Sequence, residues 1–448
     1  MLVNTIHAVY TCDMNEEFTI PVLGEGKIPS PLKYSTGKSD VHFVNDDHRV
    51  VFDVLYDKNR DPQRTDLLEY AGPRNKIYFL PRHVHAGILT CGGLCPGLND
   101  VIRAITRSLW RNYEVRRISG IRFGYAGLIP ENNLPTIDLN PDVVDDIHRI
   151  GGSILGSSRG GGARTEDIVD AIERLNISML FVIGGDGTQR GAMNITKEIL
   201  KRGLKIAVIG IPKTIDNDLS YIEKSFGFET AVTEASKTVY AAHAEAHSAE
   251  HGIGLVKLMG RHSGFIAAHT AIASNDVNFV LIPEVPFQLE GKNGFLEHLV
   301  RRIKRRGHAV VIVAEGAGQN LMNPTNKTDE SGNEQFADIG VYLKQIITQY
   351  FENIGMTMHL KYLDPSYLIR GAVAVPNDSM YCVRLAHNAV HAAMAGKTGV
   401  LVSYLNGHFV HMPMATAVSK RNTIDPSGSL WRDVIEATQQ PPNMVMQK

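Results

Sequence analysis

Short apolar runs that end in glycine- or carboxylate-rich loops and pass directly into helical patterns recur along this chain, and that alternation decides its fold class. His85-Ala-Gly-Ile-Leu-Thr-Cys91 runs into Gly92-Gly93-Leu94-Cys95-Pro96-Gly97, followed by a helical pattern over 99–110. The unit recurs as helix 166–175, strand 179–183, a glycine turn, helix 191–201 and strand 205–211. Uninterrupted apolar strands separated by helices are parallel strands covered on both faces. A second run predicts helix 229–246, strand 253–258, helix 264–273, strand 279–282, helix 295–305, strand 309–314 and helix 338–351. Helix 379–394 and strand 400–404 return to the first sheet. The expectation is an α/β protein of two Rossmann-like three-layer lobes with mainly parallel sheets and the active site in the cleft between them. Residues 1–80 form an N-terminal extension and 81–227 the first lobe, completed by about 376–424; 228–375 form the second lobe and 425–448 a tail. The polar stretch 319–335 predicts a surface loop.

At 448 residues the chain exceeds what one hydrophobic core usually serves. A formal net charge of −1 gives no global attraction to nucleic acid or an acidic membrane surface, so neither is expected as a partner. Four cysteines in so long a chain suggest a reducing compartment rather than a disulfide framework. Residues 1–18 carry Asp13, Glu16 and Glu17 and do not read as a leader, and no membrane-length apolar run occurs. A cytoplasmic enzyme is the expectation.

In such sheets ligands collect at the carboxyl ends of the strands. The loop Gly92-Gly93-Leu94-Cys95-Pro96-Gly97 can cradle phosphate with its amides, although alone it reads equally as a tight turn. Gly184-Gly185-Asp186-Gly187-Thr188 adds a carboxylate suited to a cation between protein and phosphate, and its next glycine, Gly191, comes one position late for a dinucleotide fingerprint. Lys213-Thr214-Ile215-Asp216-Asn217-Asp218 places two carboxylates at a third strand end, where one can act as a base. Arg159, Arg261, Arg370 and Lys361 are candidate cations for phosphate, each of which also reads as an ordinary surface base. Gly396-Lys397-Thr398 imitates the end of a P-loop but follows a helix and lacks the earlier glycine. Cys91 with Cys95 lacks partner ligands, and His243, His247 and His251 read equally as a polar helix face.

Together these pieces resemble the phosphofructokinase family. The matching segments also include Gly124-Tyr125-Ala126-Gly127, Gly151-Gly152, Met259-Gly260-Arg261, Pro283-Glu284 and Tyr367-Leu368-Ile369-Arg370, over roughly residues 81–404. Residues 247–264 and 314–320 are similar to the plant and kinetoplastid ATP-dependent branch. The resemblance implies a nucleotide-binding first lobe and a fructose 6-phosphate-binding second lobe. It implies transfer of the ATP γ-phosphoryl group to the 1-hydroxyl of fructose 6-phosphate, with Mg²⁺ required, in a homotetramer or homodimer. Asp216 is then the base, with Thr214 and Asp218 positioning the hydroxyl, and Asp186 holds Mg²⁺. Gly92, Gly93, Arg159 and Arg261 stabilise the moving phosphoryl group; Tyr125, Gly160, Gly185, Gly187, Thr188 and Lys213 complete the nucleotide site. Met259, Gly260, Glu284, Lys361, Tyr367 and Arg370 join Arg261 around the sugar phosphate.

Departures from shorter bacterial members are Leu94 in place of Asp, Gly252 in place of an arginine given across a subunit boundary, and Lys361 and Tyr367 in place of Arg and His. Within the family, pyrophosphate users place Asp at the position of Gly187 and Lys at that of Lys213. Gly187 carries the greater weight because it decides whether a nucleotide fits, so ATP is the expected donor. The alternatives are a pyrophosphate-dependent phosphotransferase and a catalytically silent subunit. A nicotinamide-dependent oxidoreductase is disfavoured by the late glycine.

Overall fold

A computed structural model describes residues 18–33, 42–55, 66–324 and 335–445. The leader reading and Cys12 lie outside these residues, as does much of the expected loop 319–335. Strands order themselves into a nine-stranded sheet and a four-stranded sheet, with a two-stranded ribbon beside them.

Across the large sheet run Arg49–Val51, Leu67–Tyr70, His408–Pro413, Val400–Leu405, Ala207–Pro212, Met179–Gly184, His85–Thr90, Arg117–Ile121 and Ile137–Asp138. The five consecutive strands from Val400–Leu405 to Arg117–Ile121 are parallel, and every residue of His85–Thr90, Met179–Gly184 and Ala207–Pro212 is buried. That burial follows from helices on both faces. Ile88, Phe181 and Ile209 pack toward helices Leu98–Arg107 and Pro376–Met394, and Leu89, Val182 and Val208 toward Thr165–Arg174 and Asp186–Lys201. Alternate residues of each strand thus serve opposite cores.

The second sheet, Phe279–Leu281, His308–Ala314, Gly252–Leu258 and His359–Leu363, is parallel throughout. Helices Phe228–Ser248 and Phe265–Ser274 cover one face, and Phe295–Arg306 and Ile339–Asn353 the other. Two three-layer α/β lobes result, as the strand–helix rhythm predicts.

Four features differ from the sequence reading. The helix expected over 191–201 begins at Asp186, so the glycine turn is its first turn. Strands Arg117–Ile121, His359–Leu363 and His408–Pro413 join the sheets unannounced. Leu67–Tyr70 pairs antiparallel with His408–Pro413, which makes part of the extension an edge of the large sheet. Helix Ser429–Thr438 seats Trp431 and Val434 in the core of the second lobe.

One charged cluster fastens that edge. Glu69 accepts hydrogen bonds from Arg74 Nη2 at 3.0 Å, Lys397 Nζ at 2.9 Å and His411 Nδ1 at 2.8 Å. Arg74 also donates to Asp46 at 2.7 Å. The P-loop look-alike therefore has a structural use: Lys397 pairs with Glu69, and Thr398 Oγ1 accepts from the Val208 amide at 3.1 Å. Burial raises the Glu69 carboxyl pKa, but the His411 and Lys397 interactions outweigh it and hold the group well below the usual range.

Breaking such a buried set by removing one member costs about 3–5 kcal/mol. Glu69→Gln is expected to lose stability of that order in urea unfolding near pH 7. A depressed folded-state pKa gives stability that is complete above the unfolded value of about 4.3 and is lost as pH falls toward the folded one. The gap between wild type and variant should therefore narrow below about pH 4.3; a loss under about 1 kcal/mol at pH 7 would remove the cluster's structural role.

Candidate active site

Because His85–Thr90, Met179–Gly184 and Ala207–Pro212 are parallel neighbours in register, their three following loops open along one edge of the sheet. Backbone bonds join them: Cys91 N donates to Ile183 O at 2.9 Å, Lys213 N to Gly184 O at 3.1 Å, and Gly92 N to Ser158 O at 2.9 Å. The last of these brings Arg159 into the group. Lys213 is buried, and its ammonium donates to Gly93 O at 2.7 Å. Gly92 sits at φ 86°, and a Cβ there would lie 3.0 Å from the Lys213 ammonium. Burial, with Arg370 and Arg159 nearby, pushes the Lys213 pKa down.

These loops line a cleft of about 780 Å³ that also receives Arg261, His262, Glu315 and Arg370 from the second lobe. At its first-lobe end lie Tyr125, Gly160, Gly185, Asp186, Gly187 and Thr188. Tyr125 is buried and donates its hydroxyl hydrogen to Thr188 O at 2.7 Å, so it braces the helix start rather than presenting its hydroxyl to the cleft. A Cβ on Gly187 would meet nothing within 4 Å. Asp186 receives Arg190 Nε at 3.2 and 3.3 Å, and Arg421 Nη2 lies 3.9 Å away.

Between the two ends sits Asp216, whose buried Oδ1 has no hydrogen-bond partner. Burial, then the negative charges of Asp218 and Glu315, raise its pKa to about 7 against the opposing Arg370 charge and Arg261 amide. Thr214 Oγ1 donates to Asp218 Oδ1 at 2.6 Å. Asn217 takes φ 55°, and its side-chain oxygen accepts from Ser225 N at 2.8 Å, while Ser225 Oγ donates to Thr214 O at 2.5 Å. The turn that aims the two carboxylates is thereby pinned from outside. From the second lobe, Ser263 Oγ donates to Asp216 O at 3.2 Å.

Several expected residues stand elsewhere. Glu284 does not line the cleft; its Oε1 accepts from Gly264 N and Ile424 N, both at 2.9 Å, and burial raises its pKa. Lys361 is exposed on strand His359–Leu363, and Tyr367 is 87% exposed. Met259 lies beneath the cleft floor, its sulfur accepting from Arg370 Nε at 3.2 Å. Gly252 cannot carry a side chain, since a Cβ would fall 2.0 Å from Ala246 O.

Residues the sequence reading passed over are Arg190, Asn194, His262, Glu315 and Arg421, all lining the cleft. Glu315 directly follows strand His308–Ala314, so the strand-end rule applied to the second sheet would have found it. Burial raises the Glu315 pKa, with Arg370 and Arg261 opposing. Buried Gln189 is a further omission; its amide donates to Gly184 O at 2.9 Å and Ile211 O at 3.2 Å, clamping two strand ends.

Among the described residues no group of three His, Cys, Asp or Glu can hold a metal ion. His243 and His247 face His308, whereas His251 bonds Thr357 O at 2.9 Å. Cys91 and Cys95 are buried separately, and burial pushes both thiols up to about 12.

Comparison with known proteins places this geometry. The family model described as Phosphofructokinase matches residues 85–393. An ATP-dependent 6-phosphofructokinase of Borreliella burgdorferi is 56% identical over 96% of this chain and 98% of its own length. ATP-dependent 6-phosphofructokinase 7 of Arabidopsis thaliana is 48% identical over 92% and 85%, and an ATP-dependent 6-phosphofructokinase of Trypanosoma brucei brucei is 46% identical over 83% and 76%. A pyrophosphate-dependent phosphofructokinase of Marinobacter aquaeolei shares the fold at TM-score 0.66 and 20% identity, over 82% of this chain and 94% of that one.

Gly260 holds the loop that delivers Arg261. Its φ is 129°, and a Cβ would come within 2.4 Å of Ser263 O. Gly260→Ala should therefore cost at least about 1–3 kcal/mol, read as a lower midpoint in urea unfolding. An unchanged midpoint would mean the loop relaxes without strain.

Proposed function

The chain belongs to the phosphofructokinase family, and from that premise we infer that it transfers the γ-phosphoryl group of ATP to the 1-hydroxyl of fructose 6-phosphate. The observation that carries the reading is Asp216: a buried carboxylate with one oxygen unpartnered, set between a glycine-walled end and a cationic end of one cleft. An acceptor hydroxyl at that oxygen would supply the missing hydrogen bond and then lose its proton there.

The two ends suit the two substrates. Arg261 and Arg370 give the second-lobe end positive charge for a sugar phosphate, and Glu315 offers an acceptor for its hydroxyls. Arg159 and the amides of the Gly92-Gly93 loop would stabilise charge on the phosphoryl group in flight. The roles first expected of Lys361 and Tyr367 are kept as contacts made in a homo-oligomer. Supporting this, Tyr367 and its neighbour Leu368, 78% exposed, present an apolar face beside the cleft-lining Arg370.

Mg²⁺ fits the donor set. That ion is commonly held by one or two carboxylates together with substrate phosphates, and Asp186 is the one carboxylate at the glycine-walled end. When bound there it would offset charge on the β- and γ-phosphate oxygens. A cytoplasmic location is supported by the buried free thiols of Cys91, Cys95 and Cys382.

ATP rather than pyrophosphate as donor rests on Gly187. The space beyond its Cα is open, so Gly187→Asp should fold normally while placing a carboxylate in the nucleotide's path. Steady-state assays with either donor should show ATP kcat/KM falling at least about tenfold, some 1.4 kcal/mol. Unchanged ATP turnover, or wild-type turnover with pyrophosphate alone, would sink the assignment.

Asp216 must be ionised to accept a proton, and its pKa is raised to about 7. Activity should therefore fall as pH drops through about 7, with a single-proton limb in kcat/KM. Asp216→Asn should lower kcat by about 10²–10⁴-fold and abolish that limb. A variant retaining most of its activity would assign the base elsewhere.

A further inference from the structure

Downstream of the last large-sheet strand, residues 418–424 run along the mouth of the cleft, and their polar bonds go to the loops that build it. Val418 O accepts from Arg190 Nη2 at 2.7 Å, Lys420 O from Ser220 Oγ at 2.5 Å, and Asn422 N donates to Asp218 O at 2.9 Å. Arg421 forms an isolated bridge with Leu219, immediately after the Asp216–Asp218 turn. Ile424 N donates to Glu284 Oε1, which also holds Gly264 N at the start of helix Phe265–Ser274. The segment therefore straps the first lobe's loops to the second lobe.

Its backbone is committed to these bonds, whereas the Arg421 side chain is 39% exposed and lines the cleft. Its guanidinium stands 3.9 Å from Asp186 Oδ2, and Arg190 Nε approaches the same carboxylate at 3.2 Å. Two guanidinium groups thus surround one carboxylate at the glycine-walled end and leave a surplus of positive charge. Such a surplus matches a polyphosphate that brings a divalent cation to Asp186 but retains net negative charge.

Resting on the nucleotide-site reading above, we propose that Arg421 is a nucleotide-binding residue, delivered by the strap to contact the polyphosphate beside Asp186. Arg190 shares the charge and is braced by Val418 O. The second lobe's grip on Ile424 makes the placement of Arg421 depend on both lobes.

The test uses the full chain and isothermal titration with ADP and Mg²⁺, which reports binding without turnover. Arg421→Ala should weaken ADP binding about ten- to a hundredfold, the effect of one lost charge-assisted hydrogen bond. Arg421→Lys should recover part of the loss, because it keeps the charge without the planar fork. Fructose 6-phosphate half-saturation and the thermal midpoint should stay at wild-type values, since the strap's backbone bonds do not involve the deleted group. Wild-type affinity for ADP in Arg421→Ala overturns the proposal. So does loss of ADP and fructose 6-phosphate binding together with a lower midpoint, which would reduce the strap to a structural part. A wild-type chain that binds no ADP would instead overturn the underlying nucleotide-site reading, and this inference with it.

Discussion

Parallel register among three adjacent strands is the constraint on which the rest of the site depends. Strands running the same way end at the same edge, so the loops after residues 90, 184 and 212 have no choice but to meet. Each brings what its own sequence supplies: amides from the first, Asp186 from the second, Asp216 and Asp218 from the third. The sheet also dictates the price of that meeting. Loops packed so closely bury polar groups, and every buried group needs a partner or an altered proton affinity.

Lys213 and Asp216 answer that demand in different ways. Burial destabilises the Lys213 ammonium, yet its bond to Gly93 O makes it a strut between the first and third loops. Asp216 has no such use for its Oδ1, and burial together with Asp218 and Glu315 raises its proton affinity. An unpaired buried carboxylate oxygen costs stability. Among the cleft's other carboxylates Asp186 and Asp218 are hydrogen-bonded and Glu315 is flanked by arginines, whereas Asp216 Oδ1 keeps an unused acceptor position. Asp218 shows the contrast: two residues away, it is engaged by the Thr214 hydroxyl.

Legibility in the sequence follows the range of the interaction involved. Continuous apolar runs such as Met179–Gly184 announce themselves, because burial on both faces is written into consecutive residues. Strand His359–Leu363 does not, since its His359 and Lys361 are exposed and only pairing with Gly252–Leu258 makes it a strand. The start of helix Asp186–Lys201 is masked by Gly185, Gly187 and Gly191, which have poor helix propensity; Gly191 makes room for the Tyr125 ring, and the space beyond Gly187 is open. Asp186 and Asp216 were readable because each lies at the end of its own strand. Arg421 was not, because nothing near it in sequence marks a cleft; its position comes from bridging to Leu219 and from Asn422 bonding Asp218. Glu284, carried over by resemblance, lies outside the cleft lining, with its Oε1 bonded to two backbone amides.

The cleft has walls from both lobes, so its dimensions depend on what joins them. Asp378, on a helix of the first lobe, accepts from Thr230 N at 2.7 Å and Thr230 Oγ1 at 2.6 Å, capping the first turn of helix Phe228–Ser248 in the second. Glu284 makes the second tie, through Ile424 and Gly264. Both are buried carboxylates whose proton affinity is raised by burial; Glu284 holds two backbone amides, and Asp378 holds the amide and the hydroxyl of Thr230. Such bonds fix position without steering charge into the cleft; the arginines that line it supply that charge. The two kinds of group divide the work: buried carboxyls tie the lobes together, and cations supplied from each side charge the cleft between them.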